Sequence, residues 1–145
     1  MKTRIAALTT LIGIVALVLT ACSPPAVVSA DSLEGTSWEL TTYGKTKPIE
    51  GTTITAKFEE GQVHGSSGCN TYFGSYEVSG GTISVGQIGM TEMACLEPEG
   101  SMEQEMVYLQ FLGEAKSFLL TDEGLDASLQ ILGPEGRALT FVRAE

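Results

Sequence analysis

Residues 72–87 read YFGSYEVSGGTISVGQ. The stretch holds two short runs of β-forming residues separated by Ser79-Gly80-Gly81, a turn sequence. In the first run Tyr72, Gly74 and Tyr76 share one face and Phe73 points the other way. In the second, Ile83 and Val85 share a face. Two alternating runs joined by a glycine turn predict neighbouring antiparallel strands, and the same texture extends in both directions. Upstream, residues 54–66 read as a hairpin turning at Glu60-Gly61, and Trp38 and Leu40 alternate with polar neighbours through residues 36–43. Downstream, strands are expected over 117–121, 126–132 and 137–143, with turns at Asp122-Glu123-Gly124 and Gly133-Pro134-Glu135-Gly136.

One segment breaks the pattern. Ser101 followed by Gln104 is a capping-box sequence, and Met102, Met106, Leu109 and Leu112 then recur at helical spacing until Gly113. The spacing predicts a helix over 101–113 with Met102 and Met106 facing the core. Glu97, Glu99, Glu103 and Glu105 read as a solvated face with favourable charge near the helix start. The expected class is α+β: a small antiparallel sheet or partly open β-barrel with one packed helix.

The first residues belong to a different kind of segment. Lys2 and Arg4 precede an apolar run from Ile5 to Leu19, shorter than the roughly 20 residues that span a bilayer as a helix. Leu19-Thr20-Ala21-Cys22 ends the run and resembles the lipobox of bacterial lipoproteins. The resemblance implies a signal peptide over 1–21, cleavage before Cys22 and lipid on the Cys22 thiol. Two or three acyl chains suffice for stable anchoring. Residues 22–32, with Pro24-Pro25, read as a tether of about 30 Å extended reach. Residues 33–145 are then the folded domain, displayed outside the cytoplasm on the outer membrane or the outer face of the cell membrane.

The chain has 8 Lys and Arg against 18 Asp and Glu, a net charge of −10, and loss of Lys2 and Arg4 makes it more acidic. That charge repels phosphate backbones and argues against nucleic-acid binding. Export also changes the reading of the two other cysteines. In an oxidising compartment Cys69 and Cys95 are candidates for a disulfide, with two buried free thiols as the alternative. There is no CxxC to support redox catalysis.

No catalytic set emerges. His64 is the only histidine, and GSSGCN at 65–70 is not a GxSxG elbow. A hydrolase would require His64, Asn70 and a carboxylate to converge. Asn70 suits a turn, or a polar group aimed into a cleft. Asn70, Tyr72 and Tyr76 form a candidate recognition surface: if that strand face is open, Gly74 leaves a shallow groove between two rings. Met90, Met93, Met102 and Met106 lie close in sequence, and thioethers are soft ligands for Cu(I). Their helical spacing at 102 and 106 favours core packing instead. Neither a metal nor a cofactor is expected.

Three segments in order resemble the META domain family, which includes HslJ-like proteins: LEGTSWEL at 33–40, GCNTYFGSY at 68–76 and IGMTEMAC at 88–95. The resemblance covers roughly 33–143. It implies a compact antiparallel sheet or partly open barrel, an envelope location and a link to stress. It carries no enzymatic activity, so no catalytic residue transfers. The expected function is a non-enzymatic, monomeric, membrane-anchored binding module for an envelope protein or apolar ligand. The alternative is a structural or assembly factor with no small ligand.

Overall fold

The computed structural model describes residues 33–121 and 127–144. The leader, Cys22, the tether and the turn expected at Asp122-Glu123-Gly124 lie outside the described residues.

In chain order the elements are β1 (Thr36–Tyr43), β2 (Thr55–Glu59), β3 (Gln62–Ser66), β4 (Thr71–Ser79), β5 (Thr82–Val85), β6 (Gly89–Met90), α1 (Ser101–Gly113), β7 (Ser117–Thr121), β8 (Ser128–Leu132) and β9 (Ala138–Arg143). The strands hydrogen-bond in the order β3-β2-β1-β9-β8-β7-β5-β4-β6, and β3 also pairs with β4. That last pairing closes eight strands into a ring, every neighbour antiparallel, with β6 attached to the outside of the circuit through β4. The barrel is therefore closed, where the sequence predicted a sheet or a partly open barrel. The ring is thinnest between β5 and β7, which share the single register pair Thr82↔Ser117.

Alternation explains the packing. Trp38 and Leu40 of β1, Ala56 and Phe58 of β2, Tyr72 and Tyr76 of β4, and Leu139 and Phe141 of β9 all point inward and are buried. An eight-stranded barrel has an interior just wide enough for side chains to fill. Here Trp38, Phe58, Tyr72, Phe118 and Phe141 occupy it. Phe58 and Tyr76 meet edge to face with ring centroids 5.0 Å apart.

Helix α1 has the predicted bounds but a different inward face. Ser101, Gln104, Glu105, Tyr108 and Leu112 are buried, whereas Met102 and Met106 are exposed. Polar partners in the loops decide the rotation. Gln104 Oε1 accepts from the Ile49 amide at 2.6 Å, and its Nε2 donates to Thr52 Oγ1 at 2.9 Å. A helix presenting Met102 and Met106 inward would cost the buried Gln104 side chain and these half-buried loop groups their partners, which costs more than exposing two thioether side chains. The capping box is also not formed. Gly100 in a left-handed conformation precedes the helix, no side chain caps it, and Ser101 is already helical. Past the helix, Glu114 pairs with Arg137 at 2.6 Å, and the Arg137 guanidinium lies over the Phe111 ring. Among the described residues, no helix is long and apolar enough to cross a membrane.

Candidate functional site

The turn between β3 and β4, the segment after β6 and the first turns of α1 meet at one end of the barrel. Glu105, expected in solvent, is 2% exposed there. Its Oε2 accepts the Ser67 hydroxyl and the Asn70 amide N–H, the latter at 2.7 Å. Its Oε1 accepts Asn70 Nδ2 at 2.9 Å. Both partners supply neutral dipoles rather than a formal positive charge, and three such donors stabilise a buried carboxylate.

Asn70 is likewise 2% exposed and is more than a turn residue. Its Oδ1 accepts the Met93 amide at 2.7 Å and Thr91 Oγ1 at 2.8 Å, while Nδ2 also reaches the Met93 carbonyl at 3.2 Å. Asn70 thus ties α1, through Glu105, to the segment carrying Met93. A disulfide reinforces the same join: Cys69 and Cys95 are bonded, with S–S at 2.02 Å.

The tyrosine surface expected from the sequence is closed. Tyr72 is fully buried and Tyr76 nearly so, because their strand face looks into the barrel. Tyr72 Oη donates to the Thr55 carbonyl at 3.0 Å and meets Tyr108 Oη at 2.7 Å, while Tyr76 Oη donates to Glu34 at 2.8 Å. Burial pushes the Tyr72, Tyr76 and Tyr108 phenols well above the ordinary value of 10.0. Gly74, expected to floor a groove, instead admits the chain after β5. A Cβ there would stand 3.4 Å from both the Gln87 carbonyl oxygen and Ile88 Cγ1. Gly65 answers to a comparable close approach, since a Cβ on it would fall 2.2 Å from the Thr55 carbonyl oxygen.

His64 stands elsewhere. Its Nε2 lies 3.9 Å from Glu59 Oε2, and Lys57 pairs with the same carboxylate at 2.7 Å. His64 lines a surface pocket of about 300 Å³ with Lys57, Trp38 and Gly65. Asn70 and Glu105 line a different one, so His64 does not share a pocket with them. That second pocket, about 250 Å³, is also lined by Met90, Met93, Met102 and Glu92. All three methionines are exposed there, and Met106 is exposed further along α1. Phe73, on the outer face of β4, is 59% exposed and covers Gly89, where a Cβ would fall 2.7 Å from its ring.

The barrel closed by β3–β4, the buried Asn70 and the Cys69–Cys95 bond coincide with the three sequence segments singled out above. The chain matches the META domain over residues 31–145. It belongs to the META domain family. No curated protein matches it. Among solved structures, the chain is similar to an NMR structure of a protein from Burkholderia xenovorans, with 28% identity and a TM-score of 0.70, covering 86% of this chain and 93% of that one. A second NMR structure shares the fold at 20% identity and a TM-score of 0.59, covering 79% of this chain and 94% of that one.

Within this META domain, then, the GCNTYFGSY segment supplies mostly interior structure. Asn70 organises the mouth, Tyr72 and Tyr76 fill the barrel, and Gly74 lets the chain cross. Apolar periodicity alone orients α1 with Met102 and Met106 inward, so the methionine rim is not legible from it. The one available signal was the polar set Ser101, Gln104 and Glu105, which sits at equally good helical spacing.

Proposed function

We propose that this META domain is lipid-anchored through Cys22 on the outer side of a bacterial membrane. There it acts as a stress-related, non-enzymatic binding module for an envelope protein or an apolar ligand. The leader ending in Leu-Thr-Ala-Cys supports the anchor. The bonded pair Cys69–Cys95 supports an oxidising compartment.

One observation carries the binding half of the reading. The barrel interior is occupied by Trp38, Tyr72, Phe58 and Phe141, while Phe73, Met90, Met93 and Met102 are exposed around β6. Large apolar side chains gathered beside a pocket mark an interaction surface, and methionines suit one that adapts to its partner. The occupied interior also favours the second reading, an assembly factor with no small ligand.

Fractionation and capture test both. The wild type is expected to take up labelled palmitate on membrane fractionation and Cys22→Ala to stay unlabelled; equal labelling overturns the anchor. An envelope partner retained by the wild type and lost with Met93→Asp supports the rim. Retention by Met93→Asp overturns it.

A further inference from the structure

The chain has five methionines, and Met90, Met93 and Met102 line one pocket at the mouth of the barrel. Core packing does not account for them, since they are 42%, 58% and 39% exposed. Three independent constraints bring them together. Pairing of β6 with β4 places Met90 opposite Tyr72. Asn70 grips Met93 by both its amide and its carbonyl. The Gln104 and Glu105 contacts rotate Met102 outward. The scaffold around the thioethers is thereby fixed, while the side chains stay accessible.

We propose that Met90, Met93 and Met102 form a binding site for a soft monovalent cation of the Cu(I) class. Neutral thioether sulfurs select Cu(I) over Mg²⁺, Ca²⁺ and Zn²⁺, which favour oxygen, imidazole or thiolate. Binding displaces no proton and changes no oxidation state. The carboxylates suit the cation without competing for it: Glu92 on the pocket wall and the net charge of −10 attract positive charge, while Glu105 is already held by Ser67 and Asn70. The Cys69 and Cys95 sulfurs are joined to each other and offer no thiolate. This inference concerns the same rim as the binding reading and rests on that rim being open.

The test uses the full chain carrying Cys22→Ala, which removes the remaining thiol, in detergent micelles with Ag(I) as a redox-inert probe. Methionine methyl NMR and titration calorimetry report binding. The methyls of Met90, Met93 and Met102 are expected to shift together at one equivalent, with Met106 unmoved. Met90→Leu/Met93→Leu/Met102→Leu is expected to weaken Ag(I) binding at least about tenfold. Met106→Leu is expected to leave it unchanged. The triple leucine variant keeps the size and apolar character of the rim, so loss of Ag(I) with retained partner capture separates this site from the broader binding reading. Equal Ag(I) affinity in the triple variant, or an equal loss in Met106→Leu, overturns the proposal.

Discussion

The hydroxyls of Tyr72 and Tyr108 meet at 2.7 Å in the core, joining the wall of the barrel to the helix that covers its mouth. Tyr72 Oη already donates to the Thr55 carbonyl, so it accepts from Tyr108. The two ends of this chain are therefore unequal. Tyr108→Phe removes a donor and leaves Tyr72 bonded to Thr55, with an expected loss of about 1 kcal/mol. Tyr72→Phe strands both the Tyr108 hydroxyl and the Thr55 carbonyl, with an expected loss of about 2 kcal/mol. Urea unfolding of the two variants measures the order; a larger loss for Tyr108→Phe would reverse the assignment of donor and acceptor.

Glu105 presents the sharper case. Replacing it by Ala removes the acceptor of three hydrogen bonds and leaves the buried Asn70 amide N–H without a partner, while Ser67 Oγ and Asn70 Nδ2 keep the Asn70 and Met93 carbonyls. The expected loss is roughly 3 kcal/mol or more. Asn70→Ala should lose a similar amount and also free the Met93 segment, read as faster amide exchange at Met93. The double variant should lose much less than the sum of the two, because each residue is the other's partner.

Removing the Cys69–Cys95 bond opens a loop of 26 residues in sequence. The Cys69→Ser/Cys95→Ser variant is expected to lose about 3 kcal/mol through the greater freedom of the unfolded chain. Thermal unfolding should then become insensitive to a reducing agent that lowers the wild-type midpoint. An unchanged wild-type midpoint in reductant would show that the bond does not form in solution.

Stability should fall at both ends of the pH range. Hydrogen bonds from the Glu60 amide and then from Tyr76 hold the Glu34 carboxyl below the ordinary 4.5. A carboxyl depressed in the folded state contributes above its unfolded value, and the contribution fades as pH falls through the folded value. Glu34→Gln should therefore unfold with a shallower acid dependence than the wild type. Tyr72 and Tyr108 are shifted the opposite way by burial, from an ordinary 10.0. Their contribution is complete below that pH and is lost as pH rises above it. Tyrosinate absorbance of the folded protein should thus lag behind that of the unfolded chain; full titration of all four tyrosines without unfolding would contradict their burial.

Much of this protein was readable along the chain because strand and helix periods are local properties. Helix α1 takes its predicted bounds, Ser101–Gly113, and the Glu60-Gly61 and Gly80-Gly81 turns fall between the expected strands. The Cys69–Cys95 bond is legible as well, because these are the two cysteines outside the expected lipobox. The family, too, was visible in three short segments. What one dimension could not show was where each face ends up. Closure through β3–β4 depends on residues that only meet once the ring forms, and it turned Tyr72 and Tyr76 from a candidate surface into core. The rotation of α1 depends on hydrogen bonds from Gln104 to Ile49 and Thr52, and from Glu105 to Ser67 and Asn70. Apolar spacing along the helix, taken alone, turns Met102 and Met106 inward. Buried polar groups must be paired, whereas an exposed methionine costs little. That difference put Glu105 inside and left Met102 on the rim.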